Sequence, residues 1–288
     1  MKIASTRREL EEILDHQRVT GDPLNLVPTM GALHEGHASL LRAARSTGAV
    51  ALSIFVNPLQ FGPHEDYRAY PRDEGRDLER AEAEDVDLVF APSVDEMLGS
   101  HPATTVSVGR LAAVVEGNAR PGHFDGVATI VATLFNLVQP DRAFFGQKDA
   151  QQVAVIKRMV ADLGFPVELV VCPTVREPDG LARSSRNAYL SKEARASAIV
   201  LWDALRAGRE ALSNGGDLEG VEETMIELFR STPGVEPGYA QAVNPDTFER
   251  SAPGEPVLLV VAATVGGTRL IDNLLVERPF GGQDAVGG

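Results

Sequence analysis

Residues 24–44 read LNLVPTMGALHEGHASLLRAA, and the rest of the chain is organised around them. The apolar run Leu24–Val27 predicts a strand, the glycine after it a turn, and Leu40, Leu41, Ala43 and Ala44 a helix that opens near His37. Strand, glycine turn and helix start is how α/β proteins hold phosphate. First-turn N–H groups lack intrahelical partners, and the helix dipole favours an anion there. His34 and His37, three apart, can face one ligand and add directed donors, while Gly36 lets a nucleotide approach the backbone. Two such histidines can also be a metal pair or ordinary polar residues. A zinc site wants a third ligand at recognisable spacing, however, and the HExxH order is absent.

Outward from this stretch, strand candidates at 50–55, 86–90, 142–145 and 167–172 alternate with helix candidates at 37–46, 74–84, 126–138 and 149–163. Alternation of this kind implies parallel strands with crossover helices: an α/β fold with a doubly wound, Rossmann-like sheet and its ligand at the carboxyl ends of the strands. Residues 3–18 read as an amphipathic helix with Ile3, Leu10, Ile13 and Leu14 on its apolar side, and a further strand is expected at 104–108. From about Pro173 the texture changes. Helix patterns at 192–213 and 218–230 precede strands at 239–243, 257–265 and 268–274, the last two joined by a hairpin at Gly266-Gly267. The expected organisation is a Rossmann-like domain over 1–174, a smaller α+β domain over 175–279 that closes over the site, and a disordered tail over 280–288.

Composition narrows the function classes. A length of 288 residues suits two domains, and 43% hydrophobic with 24% charged residues is ordinary for a globular protein. No apolar run approaches the roughly 20 residues of a membrane span, and Met1-Lys2-Ile3 opens no signal peptide, so a cytoplasmic protein is expected. The single cysteine, Cys172, excludes an intramolecular disulfide, and its apolar setting predicts a buried small residue rather than a nucleophile. A net charge of −14 disfavours nucleic acid and anionic membrane as partners. Cations inside glycine-rich loops are the more informative for that.

Four loops carry such residues. VNPLQFGPHEDYRAYPR, at 56–72, is polar yet holds Phe61, Tyr67 and Tyr70, and its Asn57 and Gln60 suit a substrate bearing carboxylate and hydroxyl groups; an anchored surface loop would read alike. EGNARPGHFDG, at 116–126, offers Arg120 and His123 in what is otherwise a turn. In FFGQKDAQQ, at 144–152, Lys148 precedes a helix start, where a cation wants Asp149 or an anionic ligand. In GLARSSRNAYL, at 180–190, two serines between Arg183 and Arg186 can donate to a triphosphate or cap the next helix.

Together with PTMGALHEGHASL, the stretches FVNPLQFGPHEDYRAYPR, RPGHFDGVATIV, FFGQKDAQQ and DGLARSSRNAYLS, in this order, make the chain closely similar to the pantothenate synthetase (pantoate–β-alanine ligase) family of HxGH nucleotidyltransferases. The resemblance covers most of residues 24–191 and implies a two-step ligation. Pantoate and MgATP give an enzyme-bound pantoyl adenylate and diphosphate; the amine of β-alanine then displaces AMP to give pantothenate. Pantoate is already a carboxylate nucleophile, so positioning and charge relief should dominate catalysis. The family pattern implies that His34, His37, Lys148 and Arg186 stabilise the adenylation transition state. It places Pro28, Met30, Gly31, Gly36, Gly146, Asp149, Val175, Ser184 and Ser185 around ATP, with Asp149 at the ribose. Gln60 and Gln152 would hold pantoate between Met30 and Phe145, with Asn57, Tyr70, Arg120 and His123 completing the substrate site. Asp77 is the one carboxylate offered to Mg²⁺, although it sits with Asp73, Glu74, Glu79 and Glu82 on what reads as a solvated helix face. A homodimer is implied by the resemblance alone. The rival expectations are a cytidylyl- or adenylyltransferase of the same group and a regulatory module that binds ATP without turnover.

Overall fold

The computed structural model describes residues 1–63 and 65–276. They divide into two compact units, one of residues 1–147 with 152–174, the other of residues 148–151 with those from 175 onward. The expected tail at 280–288 lies outside the described residues.

The first unit is a doubly wound α/β sheet. In chain order it contains β1 (Lys2–Ala4), α1 (Arg7–Thr20), β2 (Leu24–Thr29), α2 (Glu35–Arg45), β3 (Ala49–Ile54), α3 (Glu74–Ala83), β4 (Leu88–Phe90), α4 (Val94–Leu98), α5 (Glu116–Ala119), α6 (His123–Val138), β5 (Arg142–Gly146), α7 (Ala150–Leu163), which starts in the other unit, and β6 (Glu168–Cys172). All strand pairs are parallel, in the order β1-β4-β3-β2-β5-β6. The order reverses between β2 and β5, and a crevice at the carboxyl ends of such a pair is where open α/β sheets bind ligands.

Alternating side chains feed two cores. Leu24, Leu26, Ala51 and Phe145 pack with α1, α6 and α7 residues such as Leu10, Leu14, Leu134 and Ile156. Their strand neighbours Val27, Val50, Leu52 and Phe144 pack on the other face with Leu40, Leu41 and Ala81 of α2 and α3, and the buried Cys172 joins them. Two expectations change. Lys2–Ala4 forms an edge strand rather than the start of a helix, leaving Ile3 exposed, and α1 begins after the Thr6 N-cap. Residues 104–108 find no place in the sheet; the Val106 N–H is met instead by Thr129 Oγ1 of α6 at 2.9 Å.

The second unit holds α8 (Lys192–Ser197), α9 (Val200–Ser213), α10 (Leu218–Ser231) and an antiparallel sheet of β7 (Val235–Val243), β8 (Val257–Val265) and β9 (Thr268–Val276). The helix expected over 192–213 is two, interrupted at 198–199. Strand β7 starts earlier than expected: Pro237 is tolerated on this edge strand, and a register irregularity between Pro237 and Tyr239 leaves Gly238 unpaired in the ladder. Gly266 and Gly267 have φ of 54° and 82°, the left-handed pair that a tight hairpin needs. Leu201, Leu205, Val221, Met225 and Phe229 pack on Val257, Leu259 and Val261. Beside this core, Arg176 lies 3.9 Å over the Trp202 ring and bonds both oxygens of the buried Asp272, at 2.5 and 3.0 Å.

Candidate active site

The turn after β2 is held from outside. Thr29 Oγ1 donates to Ser53 O at 2.8 Å and accepts the Gly31 N–H at 3.2 Å. Gly31 and Ala32 then take φ of 78° and 50°, the second a conformation that side chains rarely adopt. Their support is Asp77 of α3, whose two carboxylate oxygens accept the N–H groups of Ala32 at 2.8 Å and Leu33 at 2.7 Å. A Cβ on Gly31 would stand 2.7 Å from Asp77 Oδ2. Asp77 is 3% exposed, so the solvated face expected for it is wrong. Its spacing to the fully buried Ala81, four residues on, carried that signal. Burial pushes the Asp77 carboxyl above its ordinary value, against the pull of the two amides.

Helix α2 opens on a reciprocal cap built from the two histidines. His34 is the N-cap and its Nδ1 accepts the Gly36 N–H at 3.1 Å; His37 Nδ1 accepts the His34 N–H at 3.3 Å. An imidazole nitrogen that accepts carries no proton, so each neutral ring has its N–H on Nε2. The rings stack with centroids 4.1 Å apart and 27° between planes. A Cβ at Gly36 would lie 2.8 Å from His34 Cε1, so this glycine makes room for the imidazole itself. Glu35 faces away, bound to Arg42 and, at 2.5 Å, to Arg80 of α3; Arg42 above all holds its carboxyl below the ordinary value.

The 56–72 loop starts with a turn that Asn57 organises. Asn57 is 1% exposed; its Oδ1 accepts the Leu59 N–H, and its Nδ2 donates to Gly126 O and Gln60 Oε1, each at 3.0 Å. Its polar atoms orient Gln60 rather than face a substrate. Gln60 Nε2 in turn lies 3.1 Å from Met30 Sδ. The Gln60 carbonyl accepts from Arg120 Nη2 at 3.2 Å and His123 Nδ1 at 2.8 Å, and Arg120 forms a bidentate pair with Glu65 at 2.6 and 2.8 Å. Glu65 carried no motif signal. Arg120 Nη1 lies 3.1 Å from His123 Nε2, which therefore accepts. Burial, helped by the Arg120 charge, lowers the His123 pKa to about 4. Tyr70 is buried against Phe61, with ring centroids 6.0 Å apart, and Phe145 lies inside the core. A cavity of about 260 Å³ opens beside the turn, lined by Met30, Phe55, Tyr67, Arg72 and Asp77 among others.

Pro28 is the penultimate residue of β2, Gly146 the last of β5, and Gln152 stands half-buried on α7. The remaining expected residues belong to the second unit. Lys148 Nζ lies 3.4 Å from Asp149 Oδ1, and its carbonyl accepts from Asn273 Nδ2 of β9 at 2.9 Å, a contact with no signal in the local sequence. Val175 O accepts the Arg183 N–H at 2.9 Å, while Ser184 caps the short turn Ser185–Tyr189 through the Arg186 N–H at 3.3 Å. Arg183 pairs with Glu177 at 3.0 Å. Among the described residues no group of three or more His, Cys, Asp or Glu side chains could hold a metal ion, and no helix is long and apolar enough to cross a membrane.

The chain resembles known proteins along most of its length. Residues 2–275 match the family described as Pantoate-beta-alanine ligase. A pantothenate synthetase of Caldicellulosiruptor bescii is 50% identical over 280 residues, covering 96% of this chain and 99% of that protein. The pantothenate synthetase of Thermus thermophilus superposes with a TM-score of 0.89 at 49% identity, covering 95% and 99% of the two chains. A pantoate-beta-alanine ligase from Francisella tularensis, solved with beta-gamma ATP and beta-alanine, gives a TM-score of 0.81 at 32% identity over 96% and 97%.

Proposed function

The chain belongs to the pantoate–β-alanine ligase family and catalyses the ATP-dependent condensation of pantoate with β-alanine; we propose that it does so through an enzyme-bound pantoyl adenylate. The observation that carries this reading is the reciprocal histidine cap at the start of α2, in which each Nδ1 accepts a backbone N–H, so that the neutral ring's proton is on Nε2. In the first step a pantoate carboxylate oxygen bonds to the α-phosphorus of ATP while the bond to diphosphate breaks. Negative charge grows on the phosphates, and fixed donors lower its energy without reorganising. His34, His37 and Lys148 are those donors, with Ser184, Ser185 and Arg186 at the outer phosphates and Asp149 at the ribose. Pro28, Gly31, Gly36, Gly146 and Val175 line the nucleotide site by their backbone.

Gln60 and Gln152 hold the pantoate carboxylate and hydroxyls, with Met30 and Phe145 as the apolar side. Asn57, Arg120 and His123 act by fixing Gln60, and Tyr70 anchors the loop. In the second step the neutral amine of β-alanine attacks the acyl carbon, the acyl–oxygen bond to AMP breaks, and one proton leaves with solvent or phosphate. Among the described residues no cluster of side chains is built for a resident magnesium ion, and both Asp77 oxygens already serve amides. Mg²⁺ belongs to this reading as part of the substrate MgATP. A homodimer and a cytoplasmic setting complete it.

Pantoate-dependent exchange of labelled diphosphate into ATP tests the adenylate. Exchange without β-alanine, and AMP release on adding it, are expected. Pantothenate formation with no exchange under any condition would exclude a reversible adenylate.

A further inference from the structure

We infer that Asp77 is a positioning residue for the phosphate-binding turn, holding Gly31–Leu33 in the one conformation that delivers His34 to the start of α2. The inference rests on the ligase reading. The turn has consecutive left-handed residues, and the second, Ala32, has no intrinsic preference for that state. Such a conformation is strained and persists only where the surroundings over-determine it. Here they do. The Ala32 and Leu33 N–H groups both point at one buried carboxylate, each oxygen taking one, and the absent Cβ of Gly31 is the space that the carboxylate occupies. Bonds from amides to an ionised acceptor are stronger than neutral ones. The next residue is Leu33, buried in the core that α2 and α3 share, and the one after is the His34 cap. An error in the turn is therefore passed straight to the imidazole. Asp77 itself is kept in place because α3 is tied to α2 through Arg80 and Glu35.

Asp77→Asn keeps the shape but replaces one acceptor by an N–H donor facing an N–H. The expected loss is about 10²-fold in kcat for exchange, the scale of a roughly 1 Å misplacement, with the KM for pantoate little changed. The same substitution made in His34→Ala should cost under about 3-fold, because there is no longer a ring to misplace. Equal losses in the two backgrounds, or a raised Mg²⁺ requirement in the variant, would overturn the inference. A wild-type protein that forms pantothenate without exchange would instead defeat the adenylate reading. Should Asp77→Asn not fold, NMR of the wild type decides: the Ala32 and Leu33 amide protons are expected to shift upfield together as the Asp77 carboxyl is protonated, and amides that ignore that titration would overturn it.

Discussion

Two segments of the first unit, HEGH at 34–37 and RPGH at 120–123, end in the same Gly-His pair at the start of a helix, and their histidines are opposites. In the first, Nδ1 of each ring accepts a backbone N–H from its own turn, and Nε2 carries the proton. In the second, His123 spends its Nδ1 proton on the distant Gln60 carbonyl, and its Nε2 accepts from Arg120. One pair of imidazoles presents donors; the other imidazole is absorbed into a loop. What separates them is the hydrogen-bond partner of Nδ1, a backbone N–H in the first and a carbonyl in the second, which residue type does not reveal.

The sharpest way to break the comparison is to remove the rings. His34→Ala and His37→Ala should each slow exchange by about 10² to 10³-fold, up to roughly 4 kcal/mol, with melting temperature nearly unchanged. An equal effect of His123→Ala on kcat would erase the distinction. Next comes pH. His123 is held neutral in the fold at a pKa of about 4 and titrates near 6.5 when unfolded, so the unfolded chain binds the extra proton between those values. Its contribution of about 3 kcal/mol is complete above pH 6.5 and is lost as pH falls toward 4. Urea denaturation of wild type against His123→Gln should show a gap that closes over that window.

Arg120→Ala should destabilise by about 2 kcal/mol and raise the KM for pantoate, since it strands Glu65 and one acceptor of the Gln60 carbonyl. Unchanged KM would detach the RPGH segment from the substrate loop. The smallest effect is expected from Gly36→Ala. Its methyl group meets the movable edge of the His34 ring, so a loss of about tenfold in kcat, roughly 1.4 kcal/mol, should appear without loss of fold.

Much of this was legible in the chain. The alternating strands and helices, the Gly266-Gly267 hairpin and the helix start at HEGH all depend on interactions within a few residues, which periodicity and cap residues report. Lys2–Ala4 was too short to carry a period, and residues 104–108 have strand-like composition but no strand to pair with. Asp77 stood among exposed acids and could not be told from them by type. Asn57 looked like a substrate contact because its amide suits one, yet neighbouring backbone and Gln60 use it fully.

By itself the sequence determined the family, the α/β alternation and which residue types gather in which loops, because motifs and periodicities are local. The tertiary structure alone decided that Asp77 is a buried acceptor for amides 44 and 45 residues earlier, and that His123 donates to a carbonyl 63 residues away. It also assigned Lys148–Gln151 to the second unit. Protonation and burial are set by whichever groups the fold brings within 3 Å or so, and for Asp77 and His123 those lie too far along the chain for any local pattern to name.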